Sequence, residues 1–302
     1  MKNRLPNFLI VGAAKSGTSS LHNYLHEHPE VFMPSYNREG MKVKEPRFLI
    51  KDLVQHRLHN GVWNFEEYQC LFSNVREEKV IGESTVLYLY YYQHAIKNIK
   101  YYLGEEVKII IMLRNPIDRA YSAFQHVSRG LKETNSFEES LEIEKGRLER
   151  ETNLTPMVMY KEMGMYYSMV KAYKDSFKNI HIVFYEDFRD NIALEMNKVY
   201  SFLGISKDIN VNLNKRYNVG GKKWKNKKSK HFFMKDNWAK SILKSITPKK
   251  IRQEIRNKLV NLSTKEVEEM KKETRKMLNN YFQEDIKKLS ELLNKDLQHW
   301  TK

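Results

Sequence analysis

The sequence is poor in cysteine and has no long apolar run, and each absence excludes a class of protein. Among 302 residues the only cysteine is Cys70, which excludes an intramolecular disulfide and any zinc or iron–sulfur site built from several cysteines. A membrane-spanning helix needs about 20 apolar residues, whereas the most apolar run, 107–113, is much shorter and contains Lys108. We therefore expect a reducing compartment and no membrane span.

The first residues leave no room for a targeting signal in this sequence. Residues 1–6 lead directly into the apolar stretch 7–11, which is too short to be the apolar core of a secretory signal peptide. The sequence therefore predicts a cytoplasmic protein.

Acidic residues are scarce relative to basic ones, and the formal net charge is +16. A large basic excess reports on partners rather than on fold, and it points to an anionic partner such as a nucleotide, an acidic glycan, nucleic acid or a membrane surface. The excess is unevenly spread, because residues 209–235 contain nine basic residues and no acidic one. This segment is predicted to be a basic loop that binds an anion.

Four short β-rich runs, 7–11, 79–82, 107–113 and 180–184, alternate with helical patterns. Runs of β-branched residues without polar alternation are typical of parallel strands buried on both faces, and the helical segments supply the crossovers. Residues 264–300 have apolar positions at helical spacing throughout. The sequence predicts a single α/β domain, 1–302, with a P-loop-like central parallel β-sheet flanked by helices and a helical C-terminal region.

The strongest chemical motif is the segment 12–20, Gly-Ala-Ala-Lys-Ser-Gly-Thr-Ser-Ser, between the first predicted strand and a helix. A strand-to-helix turn presents free backbone N–H groups and the positive end of the helix dipole to an anion. Glycines let the backbone wrap a phosphate, and the hydroxyls of Thr18 and Ser19 add donors. The alternative is a glycine-rich turn that binds nothing.

This loop differs from the nucleotide-binding loop of kinases and ATPases. That loop reads G-x-x-x-x-G-K-[ST], whereas here Thr18 follows Gly17 and the lysine, Lys15, precedes that glycine by two residues. The strongest strand ends in Arg114 rather than in a metal-binding aspartate. We therefore expect no magnesium and no other metal, which argues against a magnesium-dependent kinase.

A second motif, 113–122, follows the third predicted strand. Arg114 stands at the strand end, where ligands of open parallel sheets bind, and Ser122 lies two turns along the helix that Pro116 opens. A guanidinium and a hydroxyl together suit a second phosphate. On its own, Arg114 is equally explained as a capping arginine in a surface salt bridge.

Together these motifs resemble the sulfotransferases that use 3′-phosphoadenosine 5′-phosphosulfate (PAPS), particularly their carbohydrate (heparan-sulfate-type) and bacterial branch. The segment 8–18 is similar to the family's 5′-phosphosulfate loop, 44–48 resembles its Lys-Glu-x-His-Phe segment, and 113–122 closely matches its 3′-phosphate motif. The resemblance continues through 185–188, 202–204, 217–222 and the tail 292–300. It implies a nucleotide-binding α/β core over 7–205, a basic donor-covering loop over 209–235 and a helical elaboration over 236–302.

The resemblance also implies roles for individual residues. Lys15 would stabilise the leaving oxygen of the donor, Arg114 and Ser122 would bind its 3′-phosphate, and Gly220, Gly221 and Lys222 would close over it. The full set of implied donor-binding residues is Ala14, Lys15, Ser16, Gly17, Thr18, Ser19, Ser20, Arg114, Ser122, Tyr217, Gly220, Gly221 and Lys222.

An acceptor hydroxyl needs a base, and Glu45 is the residue that matches the family's base. The alternative for Glu45 is a surface carboxylate paired with Lys42, Lys44 or Arg47. Because the cytosolic branch of the family uses a histidine, His126, one turn after Ser122, is the second candidate. Residues 83–86, Glu-Ser-Thr-Val, stand where many carbohydrate members have Glu-Lys-Ser-Pro, so a lysine that often contributes to that site is absent.

The resulting expectation is sulfuryl transfer to a hydroxyl, or less favourably an amine, of a carbohydrate, glycolipid or small-molecule acceptor. No nucleic-acid partner is expected. The competing interpretation, which rests on the charge of +16 and the basic run 222–230, is a non-catalytic phosphate- or polyanion-binding module. The acceptor is expected to bind to parts of 34–69 and 137–165, whose composition does not identify it.

Overall fold

The computed structural model describes residues 4–35, 40–41, 43–130, 133–209, 211–213 and 269–301, together with the backbone of 222–224 and 264–266. Of the predicted site residues, Tyr217, Gly220 and Gly221 lie outside the described residues, as does most of the basic segment 209–235. Within the described ranges, no helix is both long enough and apolar enough to cross a membrane.

The centre of the fold is a parallel sheet of five strands in the order β2-β3-β1-β4-β5. The strands are β1 (Phe8–Gly12), β2 (Val31–Phe32), β3 (Val80–Ser84), β4 (Lys108–Leu113) and β5 (Ile180–Phe184). From β1 the chain passes to the edge strand β2 and returns to β3, which lies beside β1. It then crosses to β4 on the other side of β1 and continues outward to β5. The order therefore reverses at β1, and ligands of open α/β sheets bind beside such a reversal, at the carboxyl ends of the strands.

Both faces of the sheet are buried, which explains why its strands lack polar alternation. On β1, Phe8 and Ile10 belong to the apolar cluster on one face, while Leu9 and Val11 belong to the cluster on the other. Successive side chains of a strand point to opposite faces, so a strand covered on both sides must be apolar at every position. All five residues of β1 are buried.

Helices cover both faces. They are α1 (Thr18–His26), α2 (Lys51–Val54), α3 (Phe65–Cys70), α4 (Leu87–Tyr90), α5 (Tyr92–Leu103), α6 (Pro116–Arg129), α7 (Phe137–Glu142), α8 (Arg147–Arg150), α9 (Tyr166–Ser176), α10 (Tyr185–Asp190), α11 (Ile192–Leu203) and α12 (Lys272–Leu293). Short 3-10 helices span Phe48–Ile50, Pro156–Val158, Glu162–Gly164 and Gln298–Thr301.

The C-terminal helix α12 packs on α9 and α6, and the residues after it return to the end of β4. Trp300 is buried, and its carbonyl accepts a hydrogen bond of 2.9 Å from the Asn115 side chain. The Asn115 side chain also caps α6 by accepting from the N–H of Ile117. The end of the chain thus fixes the turn that starts α6.

The predicted fold class is confirmed: the protein has a central parallel sheet flanked by helices and a helical C-terminal region. The prediction of one helical pattern over 264–300 is wrong at its start, because Thr264–Glu266 forms β7 and pairs antiparallel with β6 (Lys222–Trp224). Strand β2 was not predicted, since two residues carry no periodic signal. The subdivision at 205, 209 and 236 stays a prediction.

Candidate active site

A cleft of about 850 Å³, formed by described residues, lies at the carboxyl edge of the sheet. Its walls come from the β1–α1 turn, the segment 44–47, one side of helix α6 between residues 118 and 129, and Tyr185 after β5. This volume falls within the range of about 300–1,000 Å³ that is usual for small-molecule sites. The two motifs that the sequence analysis separated therefore open into one space.

The β1–α1 turn has a backbone that only specific residues permit. Gly17 has a φ of 93°, and a Cβ built on it would lie 2.9 Å from Met112 Cε and 3.0 Å from the ring of Tyr185. Lys15 also adopts the left-handed region, with a φ of 71°, which is uncommon for a residue with a side chain. α1 begins at Thr18 without a side-chain cap, so its first N–H groups are available to an anion.

Lys15 lies among other cations, and its electrostatics follow from that. Burial, together with the neighbouring charges of Arg129, Arg114 and Lys44, lowers the pKa of its ammonium group to about 8. The carboxylate of Glu45 acts in the opposite direction. A group of positive charges held this close in a partly desolvated cleft favours an anionic ligand, because the ligand relieves their mutual repulsion.

Arg114 joins the two predicted anion pockets. Its Nη1 donates to the carbonyl oxygen of Lys15 over 3.2 Å, and its guanidinium stacks 4.7 Å from the ring centre of Tyr185. Tyr166 fixes the backbone here by donating to the Arg114 carbonyl. Ser122 lines the same cleft from α6. The Lys15 turn and Arg114 are therefore immediate neighbours at the ends of adjacent strands.

Glu45 faces the Lys15 turn across the cleft. Its carboxylate lies 3.6 Å from Lys44 Nζ and 3.5 Å from Arg47 Nη2, and its side chain is one-fifth exposed. Lys44 in turn donates to Ser19 Oγ over 2.9 Å, which ties this segment to the start of α1. The ion pairs expected of a surface carboxylate are present, but Glu45 also lines the cleft together with Lys15.

Beneath Glu45 lies a buried carboxyl group that the sequence analysis did not single out as functional. Glu83, at the end of β3, is inaccessible to solvent and accepts hydrogen bonds from Tyr68 Oη (2.6 Å) and Thr85 Oγ1 (2.7 Å). Thr85 Oγ1 also accepts from the N–H of Arg47, a residue with a φ of 59°. This chain of hydrogen bonds holds the segment that carries Glu45 against the sheet.

Burial raises the pKa of Glu83 to about 7, and this makes the stability of the protein depend on pH. Between the ordinary pKa of 4.5 and about 7, the folded state keeps a proton that the unfolded chain releases. The free energy of unfolding therefore falls as pH rises through that window, by about 3 kcal/mol in total if the shift is taken at 1.36 kcal/mol per unit.

We expect Glu83→Gln to lack the part of the free energy of unfolding that depends on pH through Glu83. Urea denaturation at pH 5, 6, 7 and 8 should give a smaller loss of stability with pH in Glu83→Gln than in the wild type. Glu142→Gln, on the exposed side of α7, is the matched control and should follow the wild type. Parallel curves for Glu83→Gln and the wild type would contradict the assignment of the buried proton to Glu83.

His126 lines the cleft one turn beyond Ser122 on α6. Loss of solvent around the ring, together with the charges of Lys15 and Arg129, lowers the pKa of His126 to about 4. The ring is therefore neutral near pH 7 in the ligand-free cleft. A conjugate acid with such a low pKa makes His126 a weak base there.

The cleft brings together most of the residues that the sequence predicted, and one lies elsewhere. Ser16 does not line it: the Ser16 side chain is buried, and its N–H donates to the Ala13 carbonyl within the turn. Lys222 is described only by its backbone in β6, which lies beside α6. The predicted residues that line the cleft are Ala14, Lys15, Gly17, Thr18, Ser19, Ser20, Glu45, Arg114, Ser122 and His126.

Among the lining residues that were not predicted as site residues, three contact or act on the predicted anion pockets. Lys44 lay within the segment compared with the family but received no role, and Tyr185 was a landmark after the fourth strand. Arg129 carried a usable signal, because Ser122, His126 and Arg129 are spaced four and three residues apart, which places them on one helix face.

A parallel α/β sheet with two cationic pockets at adjacent strand ends is an arrangement suited to an anionic ligand with two charged groups. The sulfotransferase domain model matches residues 5–290, and the chain belongs to this family. The expectation of a PAPS-dependent sulfotransferase is thereby confirmed at the level of the family.

Similar proteins include a crystal structure of a sulfotransferase from Alicyclobacillus acidocaldarius, at 27% identity and a TM-score of 0.73, with 99% of this chain and 100% of that chain covered. Carbohydrate sulfotransferase 15 of Mus musculus is 24% identical over 67% of this chain and 44% of its own length. The bifunctional heparan sulfate N-deacetylase/N-sulfotransferase 2 of Homo sapiens is 31% identical over 41% of this chain and 13% of its own. The matches thus span less than half of these curated relatives.

Proposed function

We propose that the protein transfers the sulfuryl group of PAPS to a hydroxyl of a carbohydrate-like acceptor, with an amine as the less favoured alternative. The observation that carries the proposal is the hydrogen bond of 3.2 Å from Arg114 to the Lys15 carbonyl. It makes two cationic pockets adjacent, and a nucleotide with phosphates on both its 3′ and 5′ positions needs that arrangement.

The side chains available in the cleft fit such a donor. The turn 14–20 supplies an ammonium group, hydroxyls and the amino end of α1 for the 5′-phosphosulfate. Arg114 and Ser122 supply a guanidinium and a hydroxyl for the 3′-phosphate. Strand β6, which begins at Lys222, runs beside α6, and this supports the part of the proposal that brings Lys222 to the donor; the roles of Gly220 and Gly221 rest on the family resemblance alone. Tyr217, Ser16 and the remaining donor-binding assignments stay part of the proposal.

The reaction is an in-line displacement at sulfur. The acceptor oxygen forms a bond to sulfur, the bond from sulfur to the bridging oxygen breaks, and its electron pair stays on that oxygen as adenosine 3′,5′-bisphosphate (PAP) leaves. Lys15 stabilises the charge that develops on the bridging oxygen. Glu45 takes the proton of the acceptor hydroxyl, with His126 as the second candidate for this role.

The acceptor class is supported by the relatives and by the walls of the cleft. One relative is described as a carbohydrate sulfotransferase and another as a heparan sulfate N-sulfotransferase. Leu58, Thr155 and Met157 line the cleft beyond Glu45, and they belong to the two segments from which the sequence analysis predicted an acceptor pocket. Glycolipids and small molecules with sugar-like hydroxyls remain within the proposed class.

The test is transfer of labelled sulfate from PAPS to a panel of acceptors that includes neutral sugars, acidic sugars, amino sugars and a phenol. We expect PAP to form in step with a labelled sugar product, and no magnesium requirement. Donor that binds without transfer to any member of the panel would favour the non-catalytic polyanion-binding module. That module also predicts equal affinity for unrelated polyanions and a steep dependence on salt.

A further inference from the structure

Arg129 is a cation of the cleft that the proposed reaction leaves without a partner. It is the last residue of α6 and lines the cleft together with Lys15 and His126. Its Nε is buried and has no hydrogen-bond partner, and no carboxylate among the described residues lies within ion-pair distance of it. A buried donor without a partner is costly, so the site is built for a ligand that supplies one.

The other charges of the cleft are accounted for. Among the described residues, six cationic side chains and two carboxylates line it. One carboxylate, Glu45, lies within ion-pair distance of both Lys44 and Arg47. The other, Asp118, forms an ion pair of 2.7 Å with Arg275. Arg189 is paired with Asp190. Lys15 and Arg114 are assigned to the two ends of the donor, so Arg129 is the cation that remains.

The position of Arg129 separates it from the donor's 3′-phosphate. Arg129 follows Ser122 by seven residues, which is about 10 Å along a helix that rises 1.5 Å per residue. Helix α6 packs against the turn Pro156–Val158, and the adjoining Thr155 and Met157 line the cleft. The charge of Arg129 acts on Lys15 more strongly than that of Arg114 does, so Arg129 lies by the 5′ end of the donor, which is the end that the acceptor has to approach.

A second cavity of about 390 Å³ is lined by His56, Arg57, His59, Asn153 and Leu154. Its lining residues are neighbours in sequence of Leu58 and Thr155, which line the main cleft. Arg57 links the two segments by donating to the carbonyls of Leu148 and Leu154. The two segments from which an acceptor pocket was predicted therefore form this cavity as well as part of the main cleft.

We infer that Arg129 binds an anionic group of the acceptor, so that the acceptor of this protein is acidic. The inference rests on the proposed function, since it takes Lys15 and Arg114 as the donor's partners. The chemistry of the group is that of a carboxylate, sulfate or phosphate, each of which accepts charge-assisted hydrogen bonds from a guanidinium.

The test uses the full chain saturated with PAP and measures binding of tetrasaccharides by calorimetry. The probes are a uronic-acid-containing tetrasaccharide, its carboxyl-reduced counterpart, and sulfated and phosphorylated versions of the latter. We expect the wild type to prefer at least one acidic probe over the neutral one. Arg129→Gln should weaken binding of that acidic probe by about 10- to 100-fold, the worth of one hydrogen bond to a charged group, and leave the neutral probe unaffected.

Matched variants distinguish binding from a structural role. Arg129→Lys keeps the charge and should recover part of the affinity for the acidic probe. Arg76→Gln makes the same substitution at an exposed arginine outside the cleft and outside the two acceptor segments, and it should behave as the wild type. The thermal unfolding midpoint of Arg129→Gln should stay close to that of the wild type, and its loss of PAP affinity should be smaller than its loss of affinity for the acidic probe.

Three results would overturn the inference: equal binding of acidic and neutral probes by the wild type, an equal loss for both in Arg129→Gln, or no binding of any acidic probe. Failure of the proposed function is a separate result, because it appears as the absence of PAP binding by the wild type before any sugar is added.

Discussion

Replacing Lys15 by alanine should lower kcat for sulfuryl transfer by about 10²- to 10³-fold. That is the effect of removing one group that stabilises charge developing in a transition state, and Lys15 is the cationic side chain of the turn that receives the donor's 5′ end. The measurement is the rate of PAP formation at saturating donor. Lys97→Ala, at an exposed lysine of α5, is the matched control and should retain wild-type activity.

The pKa of Lys15, about 8 in the ligand-free cleft, adds a second readout to the same variant. Binding of an anion favours the protonated ammonium group, so above pH 8 the protein must take up a proton when it binds PAP. PAP affinity of the wild type should therefore fall as pH rises from 8 to 10, while that of Lys15→Ala should stay level. A rate and a pH profile in Lys15→Ala that match the wild type would remove Lys15 from the reaction.

Replacing Glu45 by glutamine should lower kcat by about 10²- to 10⁴-fold, the usual contribution of a positioned base. Glutamine keeps the size of the side chain but cannot accept the acceptor's proton. Because Glu45 is not assigned to either phosphate of the donor, the affinity for PAP should change little. The measurements are kcat with the best acceptor of the panel and PAP affinity by calorimetry.

His126→Asn is the variant that discriminates between the two candidate bases. The neutral, weakly basic ring of His126 should leave it a smaller role than that of Glu45. A large loss of kcat in His126→Asn together with a nearly intact Glu45→Gln would assign the base to the histidine. In that case Glu45 would have only a structural role, through its ion pairs with Lys44 and Arg47.

The sequence predicted the parts of the fold that are encoded locally. Strands β1 and β4 were predicted because both faces are buried and every position is apolar, which leaves a run that is visible in the sequence. Strand β7 was missed because Thr264–Glu266 becomes a strand by pairing with Lys222–Trp224, some 40 residues away. Helical spacing in the following residues concealed this pairing.

The same distinction applies to the site. Lys15 and Arg114 were found because each follows a strand within a compact motif. The hydrogen bonds that join Glu83 to Tyr68 and, through Thr85, to Arg47 connect residues from three separate segments, and no local pattern predicts them. Ser16 has a hydroxyl group that could bind a phosphate, but the turn buries its side chain in the protein.

The acceptor is the part of the function that neither motif encodes. Its walls come from segments whose residues meet only in the folded chain, such as Leu58 and Met157. Arg129 is informative because no described carboxylate forms an ion pair with it. This could be seen only after the ion pairs of every neighbouring charged residue were known. The helix spacing alone could have indicated its face but not its lack of a partner.

The adjacency of the two anion pockets is tested most directly by calorimetry of three ligands, PAP, 5′-AMP and 3′-AMP, on the wild type and on Arg114→Ala. If a single bisphosphate reaches from the Lys15 turn to Arg114, the wild type should bind PAP at least tenfold more tightly than either monophosphate. In Arg114→Ala, PAP should bind no better than 5′-AMP does. Equal affinities of the wild type for PAP and 5′-AMP, or an undiminished preference for PAP in Arg114→Ala, would contradict the account.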